Sequence, residues 1–331
     1  MRTVSLGATG LPVTPVGLGL AALGRPGYIN IGHAADLGRD RSVTAMERHA
    51  HGVLDAAYAA GVRYFDAARS YGRAEEFLAA WLRARDLAPG DVTVGSKWGY
   101  RYTANWSPDA EVHEIKDHSV DALRRQYGES RAHLGAHLDL YQIHSATPDS
   151  GVLHDRSVTD VLMTLRERGL AIGLTVSGPR QAEVIHKALD IEVDGVSLFQ
   201  SVQATWNVLE TSTTNALATA HDAGWGVIVK EALANGRLTP RNQEKVSAGT
   251  HTLLENIATR RGTSIDALAL GAALAQPWAH VVLSGATRVG QLEANVTALS
   301  VSLTTDDLSE LARVAESPDD YWAMRARLPW N

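Results

Sequence analysis

Short apolar stretches alternate along this chain with helix-patterned segments, several of which stop at a glycine, and that rhythm leaves few folds open. A helix over Ala45–Ala60 ends at Gly61 and feeds the apolar run Val62–Phe65. The pattern repeats with Ala74–Arg85 before Val92–Ser96, Ser119–Leu134 before Leu138–Ile143, and Val158–Arg168 before Ala171–Val176. It continues with Pro179–Leu189 before Gly195–Phe199, Thr213–Ala223 before Gly226–Val229, and Ile265–Ala275 before Val281–Leu283. Glycine just past a helix is the expected left-handed cap. Short strands without polar alternation suit a parallel sheet covered on its outer face. With Val16–Leu20 as the first strand, eight strands alternate with helices, which predicts an α/β fold: a closed (β/α)8 TIM barrel. The first strand–helix turn lacks G-x-G-x-x-G, which argues against an open dinucleotide-binding sheet. Residues 3–13 read as an N-terminal β-hairpin. The expectation is one domain over residues 1–331, with long loops at the C-terminal face of the barrel.

Composition removes several classes of function. The chain has 331 residues, 45% of them hydrophobic, and a formal net charge of −6. No basic block offers a nucleic-acid or membrane-surface footprint. The absence of cysteine excludes disulfides, thiol nucleophiles and Cys-based metal sites. No run approaches the ~20 apolar residues of a membrane helix, and the N-terminus has no signal-peptide core, so a cytoplasmic protein is expected. His49 and His51 sit too close for one helix face and no third ligand is evident, so no metal is expected.

In such a barrel the site lies where the strands end. Three neighbouring strands end in ionisable residues: Asp66 in V-R-Y-F-D, Lys97 in V-T-V-G-S-K, and His144 in L-D-L-Y-Q-I-H. Neighbouring strands lie about 4.8 Å apart, so these side chains can converge. Tyr71 rises from the loop after Asp66. A free tyrosine has a pKa of about 10, and an ammonium ~4 Å away lowers it by at most ~3 pH units. Asp66 would hold Lys97 charged, and His144 could donate to an oxygen gaining negative charge. This set trades a proton with an alcohol or alkoxide. It holds nothing that moves electrons, so a bound cofactor is required.

With these residues in view, the chain resembles the aldo-keto reductases over nearly its whole length. The resemblance rests on R-Y-F-D-A-A-R-S-Y-G around Asp66 and Tyr71, S-K-W-G around Lys97, and L-D-L-Y-Q-I-H ending at His144. It implies that Tyr71 is the general acid, that Lys97 and Asp66 tune it, and that His144 orients the substrate carbonyl. It also implies a nicotinamide cofactor. Thr175-Val176-Ser177 resembles the turn that holds the carboxamide, with Gly178 where Asn is usual. In Q-A-T-W-N, Gln203 would bind the carboxamide, Trp206 would stack on the nicotinamide, and Asn207 completes the motif. The segment from Lys230 through Leu233 to Gly236 resembles the loop along the pyrophosphate. Gly285 and Thr287, with Gln291 and Asn295, resemble the adenosine end. Arg288 is the candidate for a 2′-phosphate, which makes NADPH the expected cofactor, with NADH also open.

Trp98, Tyr100 and Tyr28 are candidates for the wall of an apolar substrate pocket. Glu111–Asp117 reads as a solvated loop or helix face, and the long Ala21–Thr44 stretch as a loop insertion. An aromatic tail, Trp322–Trp330, is expected to pack back onto the body. The expected reaction is NAD(P)H-dependent reduction of a small aldehyde or ketone. Oxidation of an aldose or other alcohol stays open. So does a cofactor-sensing regulatory subunit, like the potassium-channel β subunits this family resembles. Substrate identity, direction and oligomeric state are not legible.

Overall fold

Covered on both faces, the strands of the central sheet are mostly short and largely apolar, with polar residues concentrated where they face the barrel interior. The computed structural model describes residues 1–242 and 246–331. Eight parallel strands close into a barrel in sequence order. They are β1 (Val16–Gly19), β2 (Tyr64–Asp66), β3 (Thr93–Trp98), β4 (Leu138–Ala146), β5 (Ala171–Val176), β6 (Ser201–Thr205), β7 (Gly226–Lys230) and β8 (Val281–Ser284). Helices return the chain between strands; they include Val43–Ala59, Ala74–Ala84, Val120–Leu134 and Arg156–Glu167. Ser42, Ser119 and Asp155 cap three of these by accepting from a backbone N–H within the first turn. The (β/α)8 barrel expected from the alternation is the fold observed.

One strand moves. The apolar run Gly195–Phe199 was expected to be the sixth barrel strand, but Val196–Ser197 pairs antiparallel with Glu192–Val193 outside the barrel. The sixth strand is Ser201–Thr205, which pairs with β5 and β7. Its alternation of Ser, Val, Gln, Ala and Thr reads as half-polar. The polar members are nonetheless buried, and Gln203 lines the mouth of the barrel. Hydropathy favoured the wrong neighbour.

The N-terminal hairpin pairs Val4–Ser5 with Pro12–Val13. It places Leu6, fully buried, against Val13, Tyr64, Leu140, Ile228 and Val281 at the N-terminal end of the barrel. At the opposite end, three segments gather over the strand termini. The Ala21–Thr44 stretch contains a short helix, His33–Leu37. Tyr100–Tyr102 pairs antiparallel with Glu114–Lys116, so Glu111–Asp117 is in part a strand rather than a free solvated loop or helix face. The tail forms a helix, Pro318–Ala326, that buries Tyr321 and Trp322 as expected of an aromatic tail. Among the described residues, no helix is long and apolar enough to cross a membrane.

Leu6 plugs the barrel floor without touching the strand ends opposite. Leu6→Ala is expected to cost about 2–5 kcal/mol of unfolding free energy, because the rigid barrel cannot collapse into the cavity. A lowered urea midpoint with an unchanged slope would record it.

Candidate active site

Parallel register brings the strand-end residues together. Asp66 closes β2 opposite Gly19 of β1 and Gly95 of β3. Lys97 lies opposite Gln142 on β4, two residues before His144. Tyr71 is placed by a tight contact between two loops rather than by a strand. Its N–H donates to the Ala68 carbonyl at 3.1 Å, and Gly72 follows with φ of 60°. A Cβ at Gly72 would lie 2.4 Å from the Gly24 carbonyl oxygen, and one at Gly24 would lie 2.2 Å from the Tyr71 carbonyl oxygen. Only glycine permits that approach, which sets the tyrosine over the barrel.

The four residues singled out in the sequence meet there. Lys97 Nζ donates to Asp66 Oδ2, to the Ala67 carbonyl at 2.9 Å and to Tyr71 Oη at 3.3 Å. Tyr71 Oη lies 3.4 Å from His144 Nε2, and Ser70 Oγ lies 3.4 Å from His144 Nδ1. The ion pair is buried on both sides. Such a pair persists only if its remaining lone pairs are satisfied. Asp66 Oδ1 therefore also accepts from Tyr64 Oη at 3.0 Å, Gln203 Nε2 at 3.1 Å and Gln142 Nε2 at 3.4 Å.

The electrostatics differ from the expectation in one respect. Tyr71 was expected to be made acidic by Lys97. Burial instead drives its pKa well above the ordinary tyrosine value, and the Asp66 charge adds to the rise while Arg25 opposes it. Asp66 largely cancels the lysine charge before the phenol can feel it. Burial also lowers the pKa of Lys97, against the pull of Asp66. His144 falls well below the usual histidine range through burial and the nearby Lys97, so its ring is neutral.

A cavity of about 470 Å³ opens above this set. Tyr28 and Tyr100, two of the three candidate substrate-wall residues, line it, and so do Ser177, Gln203 and Lys230. Trp98 does not. It is fully buried against His118, because alternation along β3 turns it away from the face that Lys97 occupies. Trp206 does not line the cavity either. It packs edge-on to Trp278 and donates to Thr214 Oγ1 at 2.8 Å, outside the barrel mouth, so its expected stacking place is lost. Asn207 lies away from the cavities. It donates to the Glu231 carbonyl at 3.0 Å and to Tyr321 Oη at 2.9 Å, tying a loop to the tail helix.

The cavity is more charged than an apolar wall would be. Arg25 is almost fully buried, bonds Glu114 at 2.9 Å and the Ser70 carbonyl at 3.1 Å, and lies over the rings of Tyr28, Tyr71 and Trp330. Opposite, Arg325 holds Glu231 through bonds of 2.8 and 2.5 Å. Burial opposes the Glu231 charge, but Arg325 and Lys230 overcome it and hold the carboxyl at about 2. Burial lowers Lys230 to about 8, and its Nζ donates to Thr205 Oγ1 at 2.8 Å. Arg25, Glu114, Glu231 and Arg325 escaped the sequence reading; Arg25 and Glu231 lie in loops, Glu114 on a short hairpin strand and Arg325 on the tail helix, none of them at the end of a barrel strand that the sequence marked.

A second cavity, about 440 Å³, adjoins the first through Asn30, Asn235, Leu283 and Gly285, which line both. Leu233, Gly236, Thr287, Arg288, Gln291 and Asn295 line it, so seven of the residues assigned to a cofactor, Gly285 included, share one groove. Asn235 Oδ1 is buried with no hydrogen-bond partner among the described residues. Gly285 lines both cavities, and a Cβ there would lie 3.9 Å from Asn30 Nδ2, an ordinary van der Waals contact. A two-lobed groove with an unpartnered amide oxygen at its waist, Asn235 Oδ1, fits an elongated dinucleotide.

The sequence profile of the Aldo/keto reductase family matches residues 16–316. The chain belongs to that family. It is therefore an oxidoreductase, of a family that in general reduces carbonyl compounds with NAD(P)H. Among its relatives is the L-galactose dehydrogenase of Arabidopsis thaliana, 26% identical across 94% of this chain and 93% of that protein. Another is the aldo-keto reductase str7 of Strobilurus tenacellus, 23% identical across 94% and 90%. The holo form of an aldo-keto reductase from Bacillus halodurans shares the fold, with a TM-score of 0.73, 22% identity, and coverage of 96% and 97%.

Removing one partner of the buried pair leaves a charge without compensation. Lys97→Met is expected to destabilise this aldo-keto reductase by about 3–5 kcal/mol, whereas Lys97→Met combined with Asp66→Asn recovers part of that loss. Chemical denaturation of the three variants against wild type measures the coupling.

Proposed function

We propose that this chain reduces a small aldehyde or ketone, with Tyr71 delivering a proton to the carbonyl oxygen. The observation that carries the reading is the position of Tyr71 Oη, 3.3 Å from Lys97 Nζ and 3.4 Å from His144 Nε2, at the floor of a cavity. A bound nicotinamide cofactor supplies the hydride. Ser177 and Gln203 would hold its carboxamide end, Leu233 to Gly236 its middle, and Gly285, Thr287, Gln291 and Asn295 its adenosine end.

The raised pKa of Tyr71 keeps the phenol protonated at neutral pH, the state an acid catalyst needs. As the proton leaves, the phenolate that forms faces the Lys97 ammonium, which is held in place by Asp66. Lys97 thus acts on the product of proton transfer more than on the resting phenol. Ser70 Oγ beside Nδ1 of His144 leaves Nε2 to donate to the substrate oxygen, and a neutral ring adds no competing charge.

A second reading runs the same site in reverse, on a polyhydroxylated alcohol such as an aldose. The charged lining of Arg25, Glu114, Lys230, Glu231 and Arg325 favours it, since those groups can bond hydroxyls that an apolar carbonyl compound lacks. The relationship to a sugar dehydrogenase supports it also.

Tyr71→Phe is expected to lower kcat/KM for carbonyl reduction by about 10²–10⁴-fold, in assays of NADPH and NADH oxidation over a panel of carbonyl compounds. Undiminished turnover would remove Tyr71 from the mechanism. Reduction needs the protonated phenol and oxidation the phenolate. With the pKa raised, reduction is expected to hold steady through neutral pH and decline only above about 10, while oxidation climbs over the same interval. Profiles of kcat/KM against pH in both directions test the sign. A reduction rate already halved near neutrality would contradict it.

A further inference from the structure

The second cavity is closed on one side by a carboxylate that no motif predicts. Asp36 lies on the short helix His33–Leu37 of the long stretch after β1, and only 5% of its side chain is exposed. Arg241 grips it with two bonds of 2.5 and 2.6 Å. Thr287 Oγ1 donates to it at 3.0 Å and Gln291 Nε2 at 2.8 Å. Arg288, the residue expected to take a 2′-phosphate, points a guanidinium nitrogen to within 3.8 Å of it. Thr287, Gln291 and Arg288 all line the groove assigned to the adenosine end of the cofactor. We propose that Asp36 reads the adenosine ribose, accepting its 2′-hydroxyl, and so selects NAD(H) against NADP(H). This rests on the nicotinamide-cofactor reading above and adds a choice that reading leaves open.

The argument is one of donors and charge. A 2′-phosphate brings nearly two negative charges and needs donors on its oxygens. Among the described residues, Arg241, Thr287 and Gln291 already donate to Asp36, whose own charge would stand beside the phosphate; Arg288, 3.8 Å away, would face that charge as well. A ribose hydroxyl brings no charge and can donate its hydrogen bond to Asp36 Oδ1, which among the described residues accepts one hydrogen bond, from Arg241, while Oδ2 accepts three. The carboxylate is also held ready. Asn331 Oδ1 accepts from the Ala34 N–H at 3.0 Å, and Arg41 donates to the Ala34 carbonyl at 3.2 Å, so the helix is pinned from both sides. A Cβ at Gly32 would lie 3.0 Å from Arg241 Nη1, so the turn before the helix leaves just enough room for the arginine. With Asp36 neutralised, Arg241 and Arg288 would be released together, and two guanidinium groups facing one groove form a phosphate site.

The test is equilibrium binding to the full-length protein, by calorimetry or tryptophan fluorescence. The probes are NAD⁺, NADP⁺, ADP-ribose and 2′-phospho-ADP-ribose. The wild type is expected to bind the unphosphorylated member of each pair at least about tenfold tighter. Asp36→Asn, and Asp36→Ser should the first variant fold poorly, are expected to shift that ratio by about tenfold or more toward the 2′-phosphate. Arg241→Gln in the Asp36→Asn background is expected to cancel the gain. A wild type that prefers the 2′-phosphorylated probes overturns the inference without any variant, and leaves the cofactor reading standing. An unchanged ratio in a variant whose melting temperature matches wild type overturns it also. Failure of all four probes to bind overturns the cofactor reading and this inference with it.

Discussion

The ion pair between Lys97 and Asp66 is the constraint around which the mouth of this barrel is arranged. Two full charges leave water together, and the protein must replace every solvent bond they lose. Tyr64, Gln142 and Gln203 supply donors to the carboxylate from strands β2, β4 and β6, while the Ala67 carbonyl accepts a hydrogen bond from the ammonium. Polar residues on otherwise apolar strands are thereby accounted for. Gln203, expected to meet the cofactor, is bound up in this network as well as lining the cavity.

The pairing also explains why the phenol behaves as it does. A lone ammonium beside Tyr71 would make it acidic. An ammonium already matched by a carboxylate is closer to a dipole, and burial then dominates. In the proposed reaction this geometry would keep a poor acid protonated until a substrate oxygen takes its proton, with a cation within reach of the phenolate that results. The same neutralising logic recurs around the cavity, where Arg25 meets Glu114 and Arg325 meets Glu231. Each pair carries a binding group into a buried place at reduced electrostatic cost.

Segments far apart in the chain build the walls. Asn331 pairs its backbone with Tyr28 through two bonds of 3.1 Å, so the tail and the long stretch after β1 close the cavity jointly. His113 stacks on Trp330 at 4.0 Å, which joins the Tyr100–Lys116 hairpin to the same tail. The cavity wall is thus built by three segments distant in sequence, each in contact with the others. The long stretch after β1 reaches the second cavity as well, through Asp36.

The alternation of helix, glycine and apolar run was enough to specify eight strands and a closed barrel, since short strands buried on both faces have few other solutions. Ionisable residues at the ends of three such strands marked Asp66, Lys97 and His144, because a charge at the end of a buried strand is costly unless it has work to do there. Side-chain direction was not legible in the same way. Trp98 and Trp206 lie one residue from the inward positions of Lys97 and Thr205, and a single step turns a side chain to the other face. The Gly195–Phe199 run outscored the true sixth strand in hydropathy because the residues that face the site must be polar. Arg25 with Glu114, Asp36 with Arg241 and Glu231 with Arg325 are separated by 89, 205 and 94 residues. Local sequence determined which elements form and in what order. Only the closed barrel decided which charges meet, because partners at such separations are chosen by the folded surface and carry no local signature.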